Sequence, residues 1–571
     1  MPKNDYESWE KPDLIKRIKQ LEERKKYGLV WDEERTVEQF EEETKGKLPV
    51  LTEDKTKEIH TDEEGPTHIL IEGDNYHALS VLNYTHEGRI DVIYIDPPYN
   101  TGNNDFIFND NFVSREDAYR HSKWLSFMSK RIKNSKKLLK NTGILIISID
   151  DNEVAQLKII CDEVFHEKNF IAILPTIINL KGNNDQFGFS GTHEYNLVYA
   201  KDKTQAMINE FELSDEELED WEEDENGFYK RGANLKSTGV NAPRQKRPNL
   251  YYAIFITSEN RLYVTDNDEL PENRIGKGDT KILPITDGNE MTWRWEKKRI
   301  KRNGNQEIII VKSGETYALY KKQRPGIGDF PTKRPKSFFY KPEYSSGNGT
   351  ALIKSLFGEK AFDNPKPIEL IKDLLFLTSK KEGIILDFFA GSGTTGHAVI
   401  DLNQKDKGRR QFILCTNNEN KIAEDICYPR ISKAIQGYKN NKGIKVEGLG
   451  GNLRYFKTTF VPGEKTDSNK KLITERSVEM LCLKENTFDE IEKGNYWQIF
   501  SSKERYTAIL FEPESIREFR LRIEQLEKPV SVYVFSLSDE IYVDAFAGLE
   551  EKVTLCAIPE SILKVYRRIY Q

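Results

Sequence analysis

Apolar and polar positions follow two rhythms along this chain. Between residues 51 and 201, short apolar runs (THILIEGD, IDVIYI, GILIISID, NFIAILPTII, YNLVYAK) are separated by segments with helical spacing (YHALSVLN, YRHSKWLSFMSKRIKNSKKLL, NEVAQLKIICDEVF). Continuous apolar runs of about 4–8 residues read as strands buried on both faces, and the spacing between them reads as amphipathic helix. That cadence predicts an α/β sheet. It breaks near residue 202 into aromatic, basic, Pro/Gly-punctuated sequence. After about 345 it resumes with helix PIELIKDLLFLTS, strand GIILDFFA, helix TTGHAVIDLN and strand RQFILCTN. A last block, 451–571, holds YTAILFE, ESIREFRLRIEQLEK and VSVYVFSL and predicts a small separate α/β domain. At the other end, KPDLIKRIKQLEERKK sets Leu14, Ile18 and Leu21 on one helical face, so 1–50 is expected to form a helical arm. The pieces are therefore 1–50, 51–201, 202–345, 346–450 and 451–571.

A chain of 571 residues is too long for one core. With 37% hydrophobic and 31% charged residues it belongs among globular proteins. It has no run of about 18 apolar residues and no signal-peptide core, so a cytoplasmic protein without membrane attachment is expected. The cysteines Cys161, Cys415, Cys427, Cys482 and Cys556 are scattered, which supports neither a disulfide framework nor a zinc site; buried thiols and no metal are expected.

The net charge of −7 hides a segregation. Residues 226–345 carry 24 lysines and arginines against 13 acids, preceded by the acidic stretch FELSDEELEDWEEDE, read as a solvated loop. Two basic runs, TWRWEKKRIKR and KKQRPGIGDFPTKRPK, suit phosphate contacts, with Arg294, Lys297, Lys298, Arg299, Arg302, Arg324, Lys333 and Arg334 as candidates. Trp293 and Trp295 offer either stacking faces or buried packing.

Two strand ends carry the chemistry. Strand 386–390 runs into Gly391, Ser392 and Gly393 before a helix beginning at Thr394, so backbone amides face a ligand. Such a turn leaves nicotinamide, flavin and adenosylmethionine open, and without GxxxxGK[ST] it is no phosphate loop. About 25 residues on, Glu419 stands where an acid would accept from ribose hydroxyls, or else lies on a solvated loop. The other strand end is DPPYNTG at 96–102. An exocyclic nucleobase amine is a poor nucleophile because its lone pair is delocalised into the ring. The Asp96 carboxylate and the Pro97 carbonyl, accepting its hydrogens, would localise that pair. Pro97 and Pro98 fix the backbone, and Tyr99 offers a face for an extruded base. The matching electrophile is the methyl group of S-adenosylmethionine. A cytosine-C5 methylase would want a Pro-Cys pair, and the chain has none.

At these residues the sequence resembles the amino-directed DNA methyltransferases. DPPYNTG precedes DFFAGSGTT with an insertion between, the permuted order of the β class; IEGDNYHALSVL, GILIISIDDNEV, GTHEYNLVYAK, FDNPKPIELI and GGNLRYFKTTFV add to the likeness. Within that class it most resembles the modification subunit of type III restriction–modification systems. The resemblance implies a Rossmann-like, adenosylmethionine-dependent fold: 51–201 the catalytic half, 202–345 the target-recognition domain, 346–450 the cofactor-binding half. It implies that Asp96, Pro97, Pro98 and Tyr99 form the target-base pocket. Asp387, Phe389, Gly391, Gly393 and Thr394 would line the cofactor site. Asn364, Pro365 and Lys366 would reach the cofactor's methionine end, with Lys366 pairing its carboxylate, and Asp74 would lie near its adenine. It also implies double-stranded DNA as substrate, a homodimer and a separate ATP-dependent restriction subunit. Asp ahead of PPY favours adenine N6 over cytosine N4. A stand-alone methyltransferase, a DNA-binding scaffold with idle chemistry and a nicotinamide oxidoreductase are the other readings, the last leaving DPPY unexplained.

Overall fold

A computed structural model describes residues 47–558 except 104, 110, 183–187, 315, 327–329, 465 and 537–541; beyond that range it describes 10–12, 14, 15, 31, 36, 38, 44 and 562. The stripe through Leu14, Ile18 and Leu21 lies largely outside the described residues.

The apolar runs assemble into one large sheet. Its strands are β1 (Leu48–Glu53), β2 (Thr67–Glu72), β3 (Ile90–Ile95), β4 (Leu139–Ile149), β5 (Phe170–Ile177), β6 (His193–Ala200), β7 (Ile384–Asp387), β8 (Gln411–Thr416) and β9 (Asn452–Val461). They are ordered β1-β9-β2-β8-β7-β3-β4-β6-β5, and the short strand Ile59–His60 also pairs with β9. From β9 to β4 all neighbours run parallel; β1 is antiparallel to β9, and β6 to both β4 and β5. Every residue of β3 is buried, as a central parallel strand requires. Its one acid, Asp91, is paired with Lys140 at 2.7 Å and accepts the Ile384 amide at 2.9 Å.

The helices are α1 (Asn75–Thr85), α2 (Arg120–Leu138), α3 (Val154–Phe165), α4 (Ser346–Phe357), α5 (Ile368–Thr378), α6 (Thr394–Asp406) and α7 (Tyr428–Gln436). On α2, Trp124, Leu125, Met128 and Ile132 are buried at helical spacing while Lys133 and Lys137 are exposed. None of the described helices is long and apolar enough to cross a membrane.

Strands β3 and β7 are neighbours, with Val92 opposite Ile385 and Ile93 opposite Leu386. Their carboxyl ends therefore lie side by side, and the loops that follow them are DPPY and FFAGSG. Nearly three hundred residues of sequence separate two loops that the sheet places next to each other.

Two boundaries differ from the sequence reading. The inserted unit is residues 209–335 rather than 202–345, because Phe339 bridges to Thr176 of β5 and ties the flank to the core. Residues 452–461, assigned above to a terminal domain, form β9 inside the main sheet. Their alternation of Leu453, Tyr455 and charged positions resembles an ordinary terminal strand, and only their pairing with β1 and β2 shows where they belong. The distal piece begins with the helix Asp467–Glu485, whose Ile473, Met480 and Leu481 join the main core. Beyond it, five strands from Asp489–Lys493 to Val553–Leu555 pack around Phe519 and Ile523 of the helix Ile516–Glu524.

The inserted unit holds a four-stranded antiparallel sheet and a three-stranded one around a core of Leu235, Tyr252, Ile254 and Leu262. Trp293 and Trp295 belong to that core, at 2% and 7% exposure. Trp293 Nε1 donates to the Tyr252 carbonyl at 2.8 Å, and Tyr252 Oη donates to the Trp295 carbonyl at 2.7 Å. Neither ring presents a stacking face to an extruded base, and the buried Trp293 Nε1 has its partner inside.

Candidate active site

A cavity of about 590 Å³ opens at the carboxyl ends of β3, β7 and β8. That volume lies within the roughly 300–1,000 Å³ usual for small-ligand sites. Asp74, Asp96, Pro97, Pro98, Phe389, Gly391 and Glu419 all line it. Phe106, Phe108, Phe112 and Phe127 add an aromatic wall from the loop after DPPY and from α2. The sequence reading missed that wall, although NNDFIFNDNF is conspicuously aromatic for a loop.

Asp74 also caps α1, accepting the Tyr76 amide at 2.8 Å, a contact worth about 1 kcal/mol in its own right. Arg131 of α2 is fully buried beneath it. It contacts Asp74 at 3.4 Å, Asn75 Oδ1 at 2.5 Å and both oxygens of Glu38 at 3.0 and 2.9 Å, and lies over the Phe127 ring at 3.7 Å. Asn75 in turn donates to the Phe388 carbonyl at 3.0 Å, so one buried arginine connects the floor of the cavity to the glycine turn.

The glycine turn is built for close approach. Gly393 has φ +79° and precedes α6; a Cβ there would sit 3.0 Å from Cys427 Sγ. Asp387 and Thr394 support this turn rather than line the cavity. Asp387 is 2% exposed, and its two oxygens accept the Phe389 amide at 2.9 Å and the Thr395 hydroxyl at 2.6 Å. Thr394 is 6% exposed and accepts from Arg430 Nη1 at 2.8 Å, as Ser392 does at 2.9 Å. Burial pushes the Asp387 carboxyl up to about 7, against hydrogen bonds from Thr395 and Phe389 that favour its charge and with Asp96 adding a like charge. Its folded value lies above the ordinary 3.8, so its stabilising contribution is full below about pH 4 and is lost as pH rises through about 7. Asp387→Asn should therefore flatten the fall in stability between those limits, read from urea midpoints across the range.

The acid of DPPY sits in a compact charged cluster. Asp96 Oδ1 lies 3.1 Å from Lys366 Nζ, which also meets Glu194 at 2.9 Å and Tyr99 Oη at 2.5 Å. Tyr99 Oη donates to Glu194 at 3.0 Å. Burial raises the Asp96 carboxyl, Lys366 pulls it down and Glu194 raises it again, leaving it above the usual range. Lys366 thus faces Asp96 and Glu194 and does not line the cavity, a placement different from the expected pairing with a cofactor carboxylate. Its segment is pinned by α4, where a Cβ on Gly349 would come within 2.2 Å of the Pro365 carbonyl oxygen. Asn364 is exposed in the preceding turn at φ +50°. Tyr99, expected as a stacking face, stands beside the cavity with its hydroxyl engaged. Trp124 Nε1 holds the loop by donating to the Pro98 carbonyl at 2.8 Å.

In the inserted unit the basic candidates divide. Arg294, Lys298, Arg299 and Arg302 are exposed, and Arg334 is 87% exposed. Lys297 pairs with Asp268 at 2.7 Å and Lys333 with Glu217 at 2.8 Å. Arg324 is held between Asp224 at 3.0 Å and Glu307 at 2.9 Å, so its charge is matched within its own unit.

A mostly parallel sheet with a glycine turn and a partly exposed acid at neighbouring strand ends defines an α/β enzyme of the Rossmann-like methyltransferase architecture, in permuted order. The model of a family described as DNA methylase (N6_N4_Mtase) matches residues 90–426. The chain belongs to that family. It is 43% identical over 396 residues to the type III restriction-modification enzyme EcoPI Mod subunit of Escherichia phage P1, covering 65% of this chain and 60% of that one. It is 33% identical over 360 residues to the type II methyltransferase M.KpnI of Klebsiella pneumoniae, covering 62% of this chain and 82% of that one. Among solved structures, a putative DNA modification methylase of Thermus thermophilus, complexed with S-adenosyl-L-methionine, aligns with 67% of this chain and 99% of its own at 14% identity and TM-score 0.29; the fold assignment rests on the strand order, not on that alignment. This chain spans about three-fifths of the length of the EcoPI Mod subunit.

Proposed function

We propose that this chain methylates the N6 amino group of an adenine in double-stranded DNA, using S-adenosylmethionine, as the modification and specificity subunit of a type III restriction–modification system. The observation that carries this reading is a single cavity in which a quarter-exposed acid, Asp96, and the glycine turn at Gly391 meet from adjacent strands. The similarity to type III Mod subunits supports the system type. The same reading includes a homodimer and a separate ATP-dependent restriction subunit.

The cavity's donor set fits the cofactor. Glu419, just past β8, suits ribose hydroxyls, Phe389 and Phe127 offer apolar faces, and Gly391 lets a ligand approach the backbone of the turn closely. When bound, the cofactor supplies an electrophilic methyl group. The chain's own residues prepare the nucleophile. Asp96 accepts an amino hydrogen and takes up the proton that the amine must release, for which its raised carboxyl is suited. Pro97 and Pro98 hold the adjoining carbonyls in place, and the phenylalanine wall keeps water from the reacting amine.

The direct test is modification-sensitive sequencing of DNA from a methylation-free host expressing the chain. One short motif carrying N6-methyladenine on one strand is expected; methylcytosine, or no mark from protein that binds both ligands, would overturn the reading.

The exposed basic residues of the inserted unit suit phosphate contacts. Replacing Lys298, Arg299 and Arg302 together by Ala should reduce the slope of log Kd against log salt by about 3, since each phosphate contact contributes about 0.9. An unchanged slope in fluorescence anisotropy titrations would place the DNA elsewhere.

A further inference from the structure

Two acids share one lysine at the heart of the site. Asp96, Glu194 and Lys366 meet within 3.1 Å, with Glu194 only 3% and Lys366 only 12% exposed. A buried cluster of this kind is commonly a structural staple, and a Lys366–Glu194 pair alone would serve that purpose. Two features go beyond a staple. Asp96 turns one oxygen to Lys366 while its side chain still lines the cavity. Neither acid is fully satisfied: Glu194 Oε1 and Asp96 Oδ1 are both buried without a hydrogen bond, and Asp96 Oδ1 meets Lys366 only as an ion pair at 3.1 Å. The fields of the ammonium and of the second carboxylate add at Asp96 with opposite signs: Lys366 favours its charged form and Glu194 opposes it.

We propose that Lys366 and Glu194 are positioning residues that set the protonation state of Asp96: Lys366 holds it ionised and oriented, and Glu194 limits that hold so that Asp96 still takes up a proton. The proposal rests on Asp96 acting as acceptor for the target amine. It also removes Lys366 from the cofactor carboxylate. The groups facing Asp96 are Lys366 from the segment before α5, Glu194 from β6, Tyr94 from β3, Tyr99 from its own loop and Asp387 from β7. Both tyrosines are held far above their ordinary values by burial, with Asp96 adding to the effect, and so stay neutral across the working range. The sign of the field at Asp96 is then decided by Lys366 against Glu194 and Asp387.

The test is the pH dependence of single-turnover methylation, run beside calorimetric titration of S-adenosylmethionine into each variant. Lys366→Met should move the acid limb upward, and Glu194→Gln should move it downward, each by about one pH unit. Lys366→Arg, which keeps the charge, should leave the limb within a few tenths of the parent's. Cofactor Kd should change less than about threefold in all three. Limbs that stay put, or that move in the same direction in Lys366→Met and Glu194→Gln, would overturn the proposal. So would a tenfold loss of cofactor affinity in Lys366→Met with an unshifted limb, which would place the lysine on the cofactor. If Lys366→Met does not fold by circular dichroism, Glu194→Gln decides alone, and a limb that fails to move downward overturns the proposal. Failure of the functional reading shows itself separately, as parent-like methylation by Asp96→Ala.

Discussion

Asp96→Ala is expected to lower methyl transfer by about 10³-fold or more while leaving DNA and cofactor binding within severalfold of the parent. The magnitude follows from removing both a hydrogen-bond acceptor for the amine and the group that takes its proton, each worth on the order of 10²–10³. Binding should survive because the variant leaves no orphaned charge: Lys366 keeps Glu194 at 2.9 Å and Tyr99 at 2.5 Å. Single-turnover transfer of labelled methyl groups, with Kd values for both ligands, checks the two halves together. A variant retaining a tenth of the parent rate would remove Asp96 from the chemistry. One that loses cofactor binding would show that the acid holds the cavity's shape instead.

Arg131→Met should destabilise the protein by about 3–5 kcal/mol, the usual cost of removing one partner from a buried ion pair. Arg131 is fully buried and Glu38 is 5% exposed, so the variant leaves that carboxylate in the interior with the more distant Lys130, at 3.8 Å, as its cationic neighbour. Glu38 already has its carboxyl raised by burial, even with Arg131 opposing that shift. Without the arginine the folded value climbs further above the unfolded one, so the loss should be small in acid and grow as pH rises. Denaturant unfolding at several pH values reads this directly. Cofactor affinity should fall too, because Asp74 and Asn75 lose the group that orients them. A pH-independent loss below about 1 kcal/mol, the scale of a surface pair, would mean that Glu38 reaches solvent in the variant.

Much of the fold was legible because buried parallel strands announce themselves. IDVIYI, GILIISID and QFILC are continuous apolar runs, and each became a strand, the first and last with boundaries close to those expected and the second beginning four residues earlier, at Leu139. The strand β9 was not legible as part of the core, since an edge-side strand mixing Leu453, Tyr455 and Phe456 with Arg454 and Lys457 carries no mark of its partner. The site followed the same division. Asp96, Gly391 and Glu419 stood out because glycine turns and acid-proline loops at strand ends have local signatures. Glu194 and Arg131 did not: one sits within a strand and the other within an amphipathic helix, and their partners Lys366 and Asp74 lie 172 and 57 positions away. Trp293 and Trp295 were open in the sequence to either stacking or buried packing, and they are buried, because local sequence does not say which side of a loop faces inward.

By itself, then, the sequence determined the class of sheet, the two chemical loops and their order along the chain, since each depends on contacts within a few residues. Tertiary structure decided that those loops share one cavity, that Lys366 lies between Asp96 and Glu194, and which basic side chains are already matched by acids. These are pairings between distant segments. They are set by how the parallel strands order themselves to bury their apolar faces, and no local pattern of residues encodes that order.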